Sequence, residues 1–277
     1  SLVTGVQTCA LPISKILNLS NNDFIRTSSQ RHINAVRSFW EKLNNNGQVY
    51  LDKYSGWYSI RDEAFYNEEE IVDGHAPTGA PVEWVEESSY FFKLSDWEEK
   101  LLKFYEDNPT FIQPKSRYNE VVSFVKQGLK DLSISRTSFD WGVKVPGDES
   151  HVVYVWIDAL TNYLTALGYP DNDSKPLKDF WPANFHFVGK DILRFHAVYW
   201  PALLMAAGME TPKKIIAHGW WTVEKEKMSK SLGNVVNPQD IINKYGLDQF
   251  RYFLLREVPF GNDGDFSEDA LDRKSVV

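Results

Sequence analysis

Apolar residues recur at helical spacing between residues 29 and 44, where Ile33, Val36, Trp40 and Leu43 share one face and Gly47 follows as a stop. From residue 49 to 85 the pattern changes to short alternating runs rich in Tyr, Trp, Gly and Pro. That texture predicts small antiparallel strands with turns at Gly56 and at residues 79–81. Helical periodicity returns over residues 95–105 and 119–129. The texture then shifts again. Residues 152–157 (VVYVWI) form a nearly unbroken apolar run, as expected of a strand covered on both faces in a parallel sheet. A helix is predicted over 158–167, a second buried strand over 185–188, a helix from there through Met205, and a third strand over 214–218. Strand, helix, strand, helix, strand is a doubly wound α/β order. Further on, Asn237 is placed to cap a helix with Pro238 at its first position and Asp240 in its first turn. Leu247, Phe250, Phe253 and Leu254 mark the apolar face of one more helix.

Composition narrows the class. A chain of 277 residues with 43% apolar and 25% charged residues has the make-up of a soluble globular protein. The net charge of −8 argues against adhesion to nucleic acid through overall charge, so an RNA partner requires a local basic patch. No apolar run approaches the roughly 18 residues of a membrane span. Cys9 is the only cysteine, which excludes a disulfide framework and a thiolate zinc cage and fits a reducing cytoplasm. Residues 1–14 and 273–277 lack either periodicity and read as non-native flanks.

Chemistry concentrates where predicted strands become helices, because ligands of open parallel sheets bind at carboxyl ends of strands, beside helix N-termini that favour anions. The first such place is residues 156–163 (WIDALTNY). Trp156 and Tyr163 suit the aromatic walls of an apolar pocket, and thioethers pack well on aromatic rings, although spacing alone reads both as core before pocket. The second is residues 189–196 (GKDILRFH). Gly189 permits close backbone approach, Asp191 can accept ribose hydroxyls, and Ile192 and His196 lie four apart on one helix face. A lone helical histidine is more often structural than a ligand. The third is residues 227–231 (KMSKS), which follow His218, Gly219, Trp220 and Trp221. Two ammonium groups three positions apart, with small hydroxyl residues beside them, suit a loop that closes over a polyphosphate, lysine acting as a mobile point charge. A generic K-x-S-K turn is also compatible with plain exposure.

The full pentapeptide matches the KMSKS signature of class I aminoacyl-tRNA synthetases letter for letter. Together with the WIDALTNY and GKDILRFH segments, and with residues 23–27, 131–136, 217–222 and 251–257, it makes the chain resemble the bacterial methionyl-tRNA synthetases from about Lys15 to Asp272. The resemblance implies a Rossmann-like α/β catalytic domain, incomplete here. Residues 15–46 would be the helical remainder of its first half, 47–149 an inserted α+β connective domain, 150–220 its second half, and 221–272 the signature loop with a helical stem-contact region. It also implies ATP-dependent activation of methionine and transfer to tRNA, with Mg²⁺ travelling on ATP. By the same carry-over Trp156, Ala159, Leu160, Tyr163, Ile192 and His196 line the methionine pocket, and Gly189 and Asp191 hold the adenosine side. Lys227, Ser229 and Lys230 would meet the phosphates, Lys227 and Lys230 acting as the catalytic pair. Adenylation needs no general base, since the amino-acid carboxylate is already a nucleophile; alignment and charge neutralisation suffice.

Departures from the family matter as much. Where relatives carry paired Cys-x-x-Cys knuckles, this chain has Ser59 and Asp62, and then residues 75–79 without cysteine, so a tetrahedral structural zinc is not expected. The upstream half that carries the family's HIGH motif has no counterpart here, which predicts that this chain alone does not catalyse adenylation. The alternative is a non-catalytic synthetase-like protein that binds tRNA or a partner; both lysines of the loop being intact speaks against it.

Overall fold

Residues 14–60, 64–66, 68–223, 225–228 and 234–275 are described by the structure, a computed structural model. The predicted first helix is α1 (Gln30–Asn45), and its apolar stripe buries Ala35, Val36, Phe39, Trp40 and Leu43. It leads into a four-stranded antiparallel sheet in the order β2-β1-β3-β5, built from β1 (Val49–Ser59), β2 (Ala64–Tyr66), β3 (Glu83–Phe92) and β5 (Leu132–Ser133). The turn expected at Gly56 is not there. Gly56 lies inside β1 opposite Val85, because the long β3 partner supplies a continuous ladder that holds the glycine extended. The turn expected at residues 79–81 forms slightly earlier, over 76–79, closed by Gly79 N–H donating to the Ala76 carbonyl.

The two middle helices are displaced from their predicted spans. Residues 94–97 form a 3₁₀ turn before α2 (Glu98–Asp107), and α3 covers Lys115–Lys126. Between them runs β4 (Ile112–Gln113). A second antiparallel sheet, β6-β8-β7, joins β6 (Ser135–Arg136), β7 (Lys144–Val145) and β8 (Asp148–Val153).

The apolar run 152–157 is where sequence and structure part. Val152 and Val153 close β8, which pairs antiparallel with β6 and β7, and α4 (Val155–Thr165) begins two residues later. Ile157, Leu160, Thr161 and Leu164 are buried while Val155 is exposed, the distribution of a helix and not of a strand. A short all-apolar run carries no period, so pattern alone cannot separate the two.

The parallel sheet therefore has different members from those expected. Its order is β4-β10-β9, with β9 (His186–Gly189) and β10 (Ile215–His218) at the predicted places and the short β4 as third strand. Among the described residues β9 has no partner on its other edge, and Phe185 and Phe187 stand exposed there. Between β9 and β10 the chain makes a 3₁₀ turn (Lys190–Ile192), a π-helical turn (Phe195–Tyr199) and α6 (Trp200–Ala206), following α5 (Lys175–Phe180). One large core joins α1, α4, α6 and the strands; Phe39 meets Trp200 at 5.6 Å, and Tyr105 donates to the Ala197 carbonyl at 2.6 Å. The result is the Rossmann-like α/β arrangement that the resemblance implied.

After β10 the chain builds a smaller unit from β11 (Trp221–Val223), β12 (Glu226–Lys227), α7 (Pro238–Tyr245), α8 (Leu247–Arg256), β13 (Gly264–Phe266) and α9 (Glu268–Ser275). Asn237 caps α7 as predicted, its side-chain oxygen accepting from Gln239 N–H at 3.1 Å. Phe250, Phe253, Phe266 and Leu271 fill a separate core, where Trp221 stacks on Phe253. Among the described residues no helix is long and apolar enough to cross a membrane.

Candidate active site

Helical spacing sets the first wall. Trp156, Ala159, Leu160 and Tyr163 lie at i, i+3, i+4 and i+7 of α4, so they share a side. Leu160 is buried, and the other three are partly exposed. Opposite stands the segment leaving β9. His196 packs edge-on to Tyr163 and Trp156, at 5.7 and 6.4 Å between ring centres. Phe195, which sequence reasoning does not single out, stacks flat on Trp156 at 3.7 Å.

The polar atoms of this wall satisfy one another. His196 Nδ1 lies 2.9 Å from the Ile192 carbonyl oxygen, which can only accept, so Nδ1 carries a proton. Burial pushes the His196 pKa down, against the pull of that carbonyl, and keeps the ring neutral. Nε2 is then a bare acceptor, and Tyr163 Oη donates to it at 2.8 Å. Burial also pushes the Tyr163 phenol up to about 12, so it stays a donor. The wall is thus an aromatic surface with one internal hydrogen bond, suited to an apolar or weakly polar side chain.

Behind it, His186 on β9 stacks on Tyr163 at 3.9 Å and 20°. Both its ring nitrogens are buried without a hydrogen-bond partner among the described residues, and burial lowers its pKa to about 3. On the far side of α4, His32 of α1 donates from Nε2 to Asp158 at 2.5 Å and places Nδ1 2.9 Å from Thr165 Oγ1. That pair ties the first turn of α4 to α1. Neither histidine stands out in the sequence, because each meets its partners through tertiary packing.

The second predicted segment and the chain after β10 leave adjacent strand ends. Gly189 and His218 are register partners at the carboxyl ends of β9 and β10. Trp220 Nε1 donates to Asp191 at 3.1 Å, and Lys190 lies 4.2 Å over the Trp220 ring. A groove of about 390 Å³ opens here between Phe187, Trp220, Leu255 and Phe260. The first two predicted segments therefore meet, Trp156 and Tyr163 against Phe195 and His196, even though the first contributes a helix start and not a strand end. Lys227 is the last residue of β12, paired with Thr222, and Met228 packs on the smaller core. Ser229, Lys230 and Ser231 lie outside the described residues, as does Asp62 of the expected knuckle. Among the described residues no group of three or more His, Cys, Asp or Glu side chains is placed to hold a metal ion.

Comparison with known proteins places this geometry. The family model described as tRNA synthetases class I (M) matches residues 2–81 and 78–275. The chain is 62% identical over 260 residues to a methionine–tRNA ligase of Rickettsia felis, covering 94% of this chain and 51% of that protein. It is 59% identical over 264 residues to a methionine–tRNA ligase of Brucella suis, with the same coverages. Among solved structures it superposes on the Mycobacterium tuberculosis methionyl-tRNA synthetase in complex with methionyl-adenylate with a TM-score of 0.90 and 55% identity, over 95% of this chain and 53% of that one. The chain spans about half the length of the relatives it matches.

Proposed function

This chain belongs to the class I tRNA synthetase family, in its methionyl branch, and from that premise we propose that it is the central part of a methionine–tRNA ligase. The observation that carries the reading is the Trp156–Tyr163–His196 wall standing beside the Gly189–Asp191 turn at one sheet edge. The wall takes the methionine side chain: the thioether lies against Trp156 and Tyr163, and Ala159, Leu160 and Ile192 line the remainder. Gly189 and Asp191 hold the adenosine side of ATP.

In the first step a methionine carboxylate oxygen bonds to the α-phosphorus of ATP, and the bond to the bridging oxygen breaks to release pyrophosphate. In the second, a hydroxyl of the terminal tRNA ribose attacks the carbonyl of the adenylate, and AMP leaves. Lys227 and Lys230 neutralise charge that builds on the phosphates, with Ser229 beside them, and Mg²⁺ enters bound to ATP. The knuckle of the connective insertion is metal-free, and the cytoplasm is where such chemistry meets its tRNA.

Methionine-dependent ATP–pyrophosphate exchange tests the reading. The full-length protein that carries this segment is expected to exchange label with methionine and not with isoleucine, valine or leucine; no exchange, or another amino acid preferred, overturns it. The 277-residue chain by itself is expected to be silent, since it lacks a counterpart of the HIGH motif, and robust exchange would refute that part.

A further inference from the structure

The three residues Asp263, Gly264 and Asp265 join the turn after β9 to the β11–β12 hairpin. Gly264 is the register partner of Trp221 in the parallel pairing of β13 with β11, and a Cβ on it would lie 2.3 Å from Val258 and 3.0 Å from Trp221. Glycine therefore lets β13 sit tight against β11. The flanking aspartates point to different partners. Asp263 accepts from Lys190 Nζ at 2.6 Å and from Trp220 N–H at 2.8 Å, anchoring the strand to the turn after β9. Asp265 Oδ1 accepts from the Lys225 backbone N–H at 2.8 Å and from Thr222 Oγ1 at 2.8 Å, that hydroxyl also lying 3.2 Å from the Gly264 carbonyl. Lys225 sits at φ +65°, in the left-handed region that a lysine enters at a cost unless its backbone is held. This residue lies in the turn between β11 and β12, and β12 ends at Lys227, the first residue of the lysine loop.

We propose that Asp265 is a positioning residue for Lys227: its carboxylate holds the left-handed turn at Lys225 and so sets where β12 ends. The inference rests on the function proposed above. Asp265 acts through the hairpin, by its bonds to Thr222 and Lys225. Losing its acceptor shifts the β11–β12 hairpin relative to the Gly189–Asp191 turn, to which Asp263 keeps β13 anchored. Small displacements of a charge-neutralising group reduce rate far more than ground-state binding of a distant side chain.

The test uses the full-length protein and variants Asp265→Ala, Asp265→Asn and Thr222→Val. Wild-type exchange is measured first, and its absence refutes the proposed function and not this inference. With wild type active, Asp265→Ala is expected to lower the exchange kcat roughly tenfold or more. Methionine affinity, read by intrinsic tryptophan fluorescence, should hold within about twofold, because the Trp156–Tyr163–His196 wall lies on the other core. Asp265→Asn keeps an acceptor oxygen at the same place and is expected to restore most of the lost rate. An unchanged kcat in Asp265→Ala, an equal loss of methionine binding, or an Asn variant as slow as the Ala variant each overturns the proposal. If Asp265→Ala does not fold, Thr222→Val decides: a severalfold lower kcat with unchanged methionine affinity supports the hairpin role, and wild-type kcat overturns it.

Discussion

Replacing His186 by Phe should change how stability depends on pH. His186 is buried on β9 beneath the Tyr163 ring, and neither ring nitrogen has a partner among the described residues. Burial, with a smaller contribution from His196 nearby, lowers its folded pKa to about 3, whereas an unfolded histidine titrates near about 6.5. Below about pH 6.5 the unfolded chain therefore binds a proton that the folded chain refuses, and stability falls as pH falls. Full stability is present above that pH, and the loss continues down to the folded pKa. Between about pH 7.5 and about pH 5 the cost works out to roughly 2 kcal/mol. A phenyl ring keeps the stack on Tyr163, has no proton to bind and leaves no ring nitrogen unpaired. His186→Phe should match or exceed wild-type stability at about pH 7.5 and gain roughly 2 kcal/mol on it at about pH 5. Urea unfolding of both chains across that range measures the difference, in which the contribution of His196, common to both, cancels. Parallel loss of stability in the two chains would refute the reasoning.

Tyr163→Phe removes the donor to His196 Nε2 and leaves that nitrogen unpaired beside the wall. A cost of about 1–3 kcal/mol in urea unfolding is expected, and an unchanged midpoint would show that the bond is not formed in solution. Lys230→Ala in the full-length protein should slow adenylation far more than it weakens methionine binding, as pre-steady-state kinetics would show; an unchanged rate removes Lys230 from the mechanism. Elemental analysis of the purified chain should find no stoichiometric zinc, since residues 59–62 and 75–79 hold no cysteine, and about one zinc per chain would overturn the metal-free knuckle.

Helices with a full apolar stripe are legible in the amino-acid pattern itself. α1 lies within a residue of its predicted limits and α8 buries Phe250 and Phe253 of its predicted apolar face, because Val36, Trp40, Leu43, Phe250 and Phe253 recur at the helical period whatever they pack against. The cap at Asn237 is legible for the same local reason. Residues 152–157 are not, since six apolar residues in a row fit a buried strand and a buried helix start equally well. The choice depends on β6 and β7 capturing Val152 and Val153, and on α1 offering a face for Ile157 and Leu160. β4 is invisible in the pattern because a pairing of two residues leaves no periodic trace.

For the site, sequence alone determined the identities that motif spacing encodes: Trp156 and Tyr163 as candidate aromatic walls, His196 four after Ile192, and the lysines at 227 and 230, whereas the shared helix side of Trp156 and Tyr163 came only with α4. These are local relations carried by the backbone geometry of one segment. Tertiary structure decided what each residue faces. Only the fold puts Phe195 flat on Trp156, Tyr163 in hydrogen-bond contact with His196, His186 beneath it, and Asp265 on the turn that launches the loop. Those partners lie tens of residues apart, and contacts across such separations come from packing, on which periodicity is silent.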